Sequence, residues 1–430
     1  MEEKYIRISD YVFLFIIIYF SADTLLFGTN SDSRFIKFGY VVSLTCFVSL
    51  TISLRNNLNR ICAQRSFIYI GGMIICCLLS MLVNYDFNYG YFLKIFLLLF
   101  AILYINKYPL AEFSIIFTNV ILIVCIFSLI GYIIMILNNG ILPTPFITIN
   151  TYDRGFYNLG FAISPNYTRQ IRNWSFFREP GVFQIYVIIA LFFHLTYTNK
   201  FSILKILIYI VTVFTTLSTT GYIALIGIFA IIILRNNTFT KKKKMLLICL
   251  IVIIISYIAI YTNLLSFDVN YQRQSVLGKF YDLQRGTTIS RIGSFYGNIQ
   301  LFLKSPLFGI GLGGIDRDFL TIITQKYYVN AAANTNMLLI QFSAHGFIYG
   351  CLWTLGMYFL TGQIVGGLER AIIIITMLIL FSGENIQYGI LPSLLLLYGI
   401  KNIDVKKEID KNENCSNRRN IWWRKTWSRQ

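Results

Sequence analysis

Charged residues are scarce in this sequence. Asp, Glu, Lys and Arg together make up 13% of the 430 residues, which is about half the share found in a typical soluble domain. So little charge could not cover a soluble globule with polar surface. The 37 Phe and 29 Tyr residues equally exclude a solvated, disordered chain. The composition therefore predicts a polytopic membrane protein.

Histidine is nearly absent, and the cysteines form no recognisable ligand pattern. Only His194 and His345 could supply imidazole, and no CxxC pair occurs among the 8 Cys. A zinc site needs three or four such ligands close together, so no metal cofactor is expected. The first apolar run lacks a convincing signal-peptide cleavage site, and we interpret it as a retained membrane span.

Long apolar runs, by contrast, are abundant. A helix needs about 20 mainly apolar residues to cross the hydrocarbon core of a bilayer, and the sequence predicts about twelve such helices. They lie near residues 11–28, 36–54, 66–83, 90–106, 113–137, 181–198, 202–217, 220–235, 244–265, 335–360, 370–383 and 386–400. The prediction is therefore an all-α polytopic membrane domain over 1–400, followed by a basic tail over 401–430.

Positive charge sets the expected orientation. If the N-terminus is cytoplasmic, most Lys and Arg residues fall on the cytoplasmic side, including the Lys241–Lys244 run and the tail. Both termini are then cytoplasmic. The net charge of +18 follows from topology, and no nucleic-acid partner is expected. The tail's Trp422 and Trp423 either lie on the inner membrane surface or belong to a mobile tail.

Two connections, about 138–180 (the first loop) and about 266–334 (the second loop), are long and lie outside on this topology. Long loops usually carry function. The first loop mixes arginines with aromatic residues: Arg154, Arg169, Arg172, Arg178, Tyr152, Tyr157, Tyr167 and Trp174. Guanidinium forks suit phosphate, and aromatic faces suit sugar rings. An ordinary solvated loop is the alternative, but arginine is costly so close to hydrocarbon, which favours substrate binding.

The segment Phe177–Gly181 is the most distinctive feature. Glu179 stands beside Arg178 where the loop becomes the sixth span, and Pro180 suits a first helical turn. One interpretation is a helix cap with a local ion pair. The other makes Glu179 a general base or a group that orients a neighbouring arginine.

The second loop contains an amphipathic pattern and a glycine-rich turn. Apolar residues at 292, 295, 299 and 302 predict a helix lying on the membrane surface, with Arg291 in its first turn, where an anion would be favourable. Gly309 and Gly311 belong to a literal GxGxxG, but no βαβ unit surrounds it, so nucleotide binding is not expected. A turn whose backbone amides approach a substrate phosphate is the remaining functional interpretation.

Four charged or titratable residues lie in or near predicted spans: Asp23, Lys94, His345 and Glu384. Such residues are functional candidates by default. They do not form the regular relay of a proton pump. For His345, between small neighbours, the prediction is an interhelical hydrogen bond.

Taken together, four segments resemble the superfamily of O-antigen polymerases and O-antigen ligases. They are Phe177–Gly181, Leu217–Gly221, Ser290–Arg291 with Pro306–Gly311, and Asn336–Gly350. The resemblance covers roughly 177–400. It implies a GT-C-like membrane glycosyltransferase in the bacterial inner membrane, with a periplasmic active site and no metal or nucleotide sugar. The implied substrate is undecaprenyl-pyrophosphate-linked oligosaccharide, polymerised with inversion into O-antigen or a related surface polysaccharide, and a chain-length regulator is a candidate partner.

The sequence departs from the family pattern at two places. Thr219 stands where the family often has arginine, and Thr335–Asn336 stands where ligases carry a His-Asn pair. The second departure favours a polymerase over a ligase that transfers glycan to lipid A core. A lipid-linked oligosaccharide flippase is the non-enzyme alternative, though flippases usually keep their outer loops short.

The resemblance and the chemistry together assign roles to named residues. Arg178 and Arg291 are expected to bind pyrophosphate, and Glu179 is the expected base or orienting group. The candidate substrate-binding residues are Arg154, Arg169, Arg172, Trp174, Gly309, Gly311 and Asn336.

Overall fold

The computed structural model describes residues 6–62, 64–144, 147–167, 171–197, 202–234, 286–327, 334–362 and 367–401. The predicted span 244–265, the Lys241–Lys244 run and nearly all of the tail lie outside the described residues. The described chain is mostly helical. Its helices are α1 Ile8–Tyr19, α2 Leu25–Gly28, α3 Ser33–Leu54, α4 Leu58–Cys62, α5 Arg65–Val83, α6 Tyr89–Lys107, α7 Leu110–Leu137, α8 Pro180–Tyr197, α9 Ile203–Thr215, α10 Thr219–Leu234, α11 Gly286–Lys304, α12 Leu312–Tyr327, α13 Met337–Gly362, α14 Gly367–Gly383 and α15 Ile390–Lys401.

The protein has the helices of a membrane protein. Within the described ranges, six helical segments are long and apolar enough to cross a bilayer. They are Ser33–Cys62, Arg65–Val83, Tyr89–Lys107, Leu110–Leu137, Pro180–Tyr197 and Met337–Thr361. α1, α9, α10 and α15 are apolar but shorter. The total of twelve spans stays a prediction.

The first predicted span, 11–28, is two helices rather than one. α1 ends at Tyr19, and α2 starts at Leu25, with the Thr24 hydroxyl accepting a hydrogen bond from the Phe27 amide at 3.4 Å. The break leaves backbone groups free to pair with the end of the first loop. The Leu25 amide donates to the Phe176 carbonyl at 3.0 Å, and the Arg178 amide donates to the Asp23 carbonyl at 3.0 Å. The interruption therefore fixes the segment that carries Arg178.

The first loop contains a small sheet that the sequence analysis did not predict. Strands β1 Ile147–Ile149, β2 Gly155–Asn158 and β3 Ile163–Pro165 pair antiparallel in chain order. Strands of three or four residues are too short to show a reliable alternation of apolar and polar positions. Under the sheet lies a small apolar core of Leu25, Phe156, Ile163 and Trp174.

The second loop contains the helix predicted near 287–302 and one more helix, α12. On α11, Gly293, Ser294 and Asn298 are buried, whereas Ile292 and Phe295 are exposed, by 41% and 48%. The polar face packs inward and the apolar face outward. That is the reverse of a soluble amphipathic helix and agrees with the expected position at a membrane surface, which stays a prediction.

α13 breaks at Gly346, and the glycine-rich turn of the second loop fills the break. Gly346 has φ 84°, and a Cβ there would lie 2.0 Å from the Leu307 carbonyl oxygen, so only glycine fits. The amides of Ile310, Gly311 and Phe347 donate to the carbonyls of Ser343, Ala344 and Pro306 at 2.9, 3.1 and 2.7 Å. These bonds satisfy backbone groups that a broken helix exposes.

Candidate active site

The turn between α9 and α10 receives two arginines from distant parts of the chain. Arg172 donates from Nε to the Thr216 carbonyl at 3.0 Å and from Nη2 to the Leu217 carbonyl at 3.3 Å. Arg291, from the second loop, donates from Nη1 to the Thr219 hydroxyl at 2.8 Å. Leu217 adopts φ 50°, a left-handed conformation unusual for a residue with a side chain. This tight turn therefore contacts residues of both loops.

A third arginine, at the start of α8, contacts the link that carries Glu384. Arg178 donates from Nη2 to the Asn385 carbonyl, in the link between α14 and α15. Its Nε is buried and has no hydrogen-bond partner among the described residues. The preceding chain is held firmly, because the Asn173 amide donates to the Thr215 carbonyl at 2.9 Å and the Asn173 side chain donates to Ser128 Oγ at 3.1 Å.

Glu179 is exposed and lies at the N-terminus of α8. Its backbone carbonyl accepts hydrogen bonds from the amides of Val182 and Phe183 at 3.1 and 3.2 Å. Its side-chain carboxylate, however, accepts no backbone amide and makes no ion pair within 4.0 Å in the described part of the chain. The backbone therefore caps the helix, while the carboxylate is left available for another role.

Glu384, which follows α14, is the second carboxyl of the site. A Cβ on Gly181 would lie 1.9 Å from its Oε1, so the carboxyl group sits in the notch that this glycine leaves at the start of α8. Burial raises the pKa of Glu384 well above its usual range, and the charge of Glu179 raises it further, against the opposing effect of Arg291 and Arg178.

We call Arg172, Arg178, Arg291, Glu179 and Glu384 the arginine site. The three guanidiniums donate to neutral oxygens, and none has a carboxylate within 4.0 Å among the described residues. Burial lowers the pKa of Arg172, and the neighbouring Glu384 and Glu179 oppose that shift. Because a guanidinium has five N–H donors, most of the donors remain available for an anionic ligand.

A rim of the first loop extends from the arginine site. The guanidinium of Arg154 lies 5.3 Å from the centre of the Tyr167 ring, within the range of a cation–π contact. Burial raises the pKa of Tyr167, and both Glu179 and Arg172 are close enough to affect it. Trp174 belongs instead to the core beneath the sheet and is only 7% exposed. Arg169 lies outside the described residues.

The three remaining candidates from the second half of the chain make internal contacts. The Gly309 amide donates to the Ser305 carbonyl at 2.9 Å, and the Gly311 amide donates to the Ala344 carbonyl at 3.1 Å. The Asn336 side chain accepts from the Leu339 amide at 3.0 Å and caps α13. Each contact gives the residue a structural role, and its role in substrate binding stays a prediction.

A separate polar group, the lysine cluster of Lys94, Gln341 and His345, is buried between α6 and α13. Lys94 Nζ lies 3.0 Å from Gln341 Oε1 and 2.7 Å from His345 Nε2. The interhelical hydrogen bond expected for His345 is confirmed. In the described residues, no group of three or more His, Cys, Asp or Glu side chains is placed to hold a metal ion.

Sequence reasoning found four of the five members of the arginine site. It identified Glu384 only as a charge near the membrane and did not connect it with Glu179. It also did not identify Thr216 and Leu217 as the partners of Arg172. The signal for Glu384 was an acid between two apolar runs, which is expensive unless it has a partner.

The chain matches no protein-family model, no curated protein and no solved structure.

Proposed function

We propose that this protein is a membrane glycosyltransferase that polymerises oligosaccharide repeat units linked to a lipid pyrophosphate, as the resemblance to O-antigen polymerases implies. The observation that carries the proposal is that Arg172 and Arg291, from the two loops, meet at the turn between α9 and α10, while Arg178 contacts the link that carries Glu384. Among the described residues, none of these guanidiniums forms an ion pair with a carboxylate. A partly exposed site that contains three arginines favours a doubly charged ligand such as pyrophosphate.

The arginines would act on the leaving group. Arg178 and Arg291 bind the pyrophosphate, and Arg172 assists from the hairpin. As the sugar–phosphate bond breaks, negative charge grows on the phosphate oxygen that leaves. Preorganised guanidiniums stabilise that charge more than they stabilise the starting substrate, and this difference lowers the barrier.

Glu179 would act on the acceptor. A hydroxyl oxygen of the terminal sugar on a fresh lipid-linked repeat unit attacks the anomeric carbon of the growing chain. A new C–O bond forms, the bond between that carbon and the pyrophosphate oxygen breaks, and the lipid pyrophosphate leaves with the electron pair. The hydroxyl proton passes to the Glu179 carboxylate, which is exposed and therefore accessible.

An apolar groove beside the site supports a lipid-linked substrate. It encloses about 360 Å³ between α1, α3 and α6 and is lined by residues that include Phe20, Leu44, Phe96 and Tyr388. Tyr388 belongs to the same link as Glu384.

The test is the surface polysaccharide of a strain that lacks this chain, resolved on a gel and compared with a complemented strain. A polymerase is expected to leave core that carries a single repeat unit, with the ladder lost. Bare core with accumulated lipid-linked polymer would indicate the ligase. Accumulation of single lipid-linked units on the cytoplasmic face would indicate the flippase, and an unchanged profile of every surface polysaccharide would contradict all three.

A further inference from the structure

Gln184 is a polar residue in a mostly apolar and buried part of α8. It is fully buried, in a helix long and apolar enough to cross a membrane. Its amide nitrogen donates to Thr220 Oγ1 at 2.6 Å, in the first turn of α10. A Cβ on Gly221 would lie 1.9 Å from Gln184 Oε1, so this glycine leaves the room that the amide occupies. The start of α10 is therefore shaped to receive Gln184.

Stability alone does not explain a glutamine at this position. Burying an amide in apolar surroundings costs free energy unless both of its ends are hydrogen-bonded. Gln184 Oε1 is buried and has no hydrogen-bond partner among the described residues, so the bond to Thr220 satisfies one end of the amide. An apolar side chain of similar size would avoid that cost. The bond to Thr220 therefore calls for a role other than stabilising the span.

That bond leads to the turn between α9 and α10. The Thr220 hydroxyl accepts from Gln184, which leaves its own hydrogen free to donate to Ser218 Oγ, 3.0 Å away. The residues on both sides of Ser218 bond to the guanidiniums of two arginines. A chain of two hydrogen bonds thus runs from the second turn of α8 to the segment that receives these arginines.

The same helix begins two residues after Arg178. We propose that Gln184 is a positioning residue, which acts through Thr220 to hold the turn between α9 and α10 in a fixed place relative to Arg178. Arg172 and Arg291, which bond to that turn, then keep a fixed arrangement relative to Arg178. Such an arrangement is what the binding of one pyrophosphate by three guanidiniums requires. This inference rests on the proposed function.

The first test breaks the bond from either side in purified full-length protein, with polymer formation from lipid-pyrophosphate-linked repeat units as the readout. Gln184→Met and Thr220→Val each remove the hydrogen bond and keep a side chain of similar size. Each should lower the rate per folded molecule about tenfold, because misplaced guanidiniums stabilise the leaving group less well. The double variant should lose no more than the larger single loss, because both changes break the same bond.

Thr220→Ser separates this role from packing. A Cβ on Gly383 would lie 2.8 Å from Thr220 Cγ2, so this methyl group packs against the end of α14. Serine loses the methyl group but keeps the hydroxyl. It should therefore lower the melting temperature in detergent and keep the rate within about threefold. Gln184→Met should do the reverse, with a lower rate and a melting temperature that is unchanged or higher.

Gln341→Met is the matched control. Gln341 is also a buried glutamine that bonds to a side chain of another helix, but it belongs to the lysine cluster. Its replacement should lower the melting temperature and leave the rate per folded molecule unchanged.

The second test measures the binding of inorganic pyrophosphate to the same proteins by titration calorimetry, without lipid or sugar. Pyrophosphate resembles the leaving group in charge, so it reports on the arrangement of the guanidiniums independently of polymer formation. Gln184→Met and Thr220→Val should each weaken binding several-fold, and the double variant should weaken it no further.

The two tests separate the possible failures. Losses that multiply in the double variant, or a normal rate in Gln184→Met, would overturn the positioning role while the polymerase remained. An equal loss of rate in Gln341→Met would also overturn it, because any damage to the helices would then have the same effect. A wild-type protein that binds pyrophosphate with the expected pattern but makes no polymer would overturn the proposed function alone. A wild-type protein that does neither would overturn both.

Discussion

The molecule holds two groups of cationic side chains, and they are built in opposite ways. In the lysine cluster, Lys94 is 4% exposed and its amine lies against both Gln341 and His345, which are equally enclosed. In the arginine site, Arg291 and Arg178 are only partly buried, and among the described residues each makes one side-chain hydrogen bond, to a neutral oxygen. Lys94 therefore bonds to members of its own cluster, whereas Arg178 and Arg291 keep donors that the described residues do not use.

The difference lies in how many donors are used. An ammonium group has three donors and a guanidinium has five. Lys94 uses its donors inside the bundle and links α6 to α13 beside the break at Gly346. The arginines keep most of theirs. A buried cation with partners stabilises a fold, whereas a partly exposed cation with spare donors is suited to bind an anion.

The largest expected effect is a loss of activity when an arginine of the arginine site is replaced. Arg291→Ala removes a guanidinium from the proposed pyrophosphate site and should lower polymer formation about a hundredfold to a thousandfold. Insertion and melting temperature should change little, because within the described ranges Arg291 makes one side-chain hydrogen bond, to Thr219. The measurement is polymer length and yield on a gel, normalised to the amount of folded protein.

The matched control for this substitution is Arg317→Ala on α12. Arg317 is an exposed arginine that pairs with Asp318 at 2.9 Å and lies outside the arginine site. Its removal should leave the polymer unchanged. Wild-type chain lengths in Arg291→Ala would show that Arg291 does not bind the leaving group.

The next prediction concerns the exposed acid. Glu179→Gln keeps the size of the side chain and its backbone cap but removes the carboxylate, and the rate should fall about a hundredfold if Glu179 is the base. Activity should be measured per folded molecule, alongside thermal unfolding to confirm that α8 is intact. Near-normal activity in this variant would mean that Glu179 serves only as the start of the helix.

A paired substitution removes one neutral acceptor from each group. Gln341→Leu leaves the buried Lys94 amine with one partner fewer and should lower the free energy of unfolding by about 2 kcal/mol. Polymer formation per folded molecule should persist. Thr219→Val removes the acceptor of Arg291 and should do the reverse, lowering activity with little effect on melting. If both variants showed the same change in activity and stability, the lysine cluster and the arginine site would not differ in role.

The local sequence predicted most of the individual residues of the arginine site, but it did not predict that they lie close together. Arg178 and Glu179 stand side by side in a short segment whose proline and acid mark a helix start, so their position was readable. Arg291 was found from its expected place in a first helical turn, although α11 begins at Gly286 and Arg291 lies in its second turn. Glu384 is far from all of them in sequence, and its approach depends on Gly181, which only the packing of α14 against α8 and α10 reveals.

Other features lay beyond local patterns for different physical reasons. The break between Tyr19 and Leu25 is stabilised by pairing with Phe176 and Arg178, a contact between segments that no local pattern shows. Trp174 was predicted to face sugar because it stands among arginines. It lies in the core beneath a sheet whose strands are too short to predict. Exposure of an aromatic ring is decided by tertiary packing, so composition alone could not assign it.

The smallest expected effect lies on the rim between the first loop and the arginine site. Arg154 is exposed and contributes a cation–π contact with Tyr167 at 5.3 Å, which is worth about 0.5–1 kcal/mol at an exposed position. Arg154→Ala should therefore weaken substrate binding a few-fold, seen as a higher KM with kcat unchanged, because the rim contacts the substrate away from the reacting bond. Arg154→Lys should restore part of the loss, since a lysine can still lie over the ring. A fall in kcat without a change in KM would instead place Arg154 at the leaving group. Arg154 would then act as the residues of the arginine site do, and not as part of a separate rim.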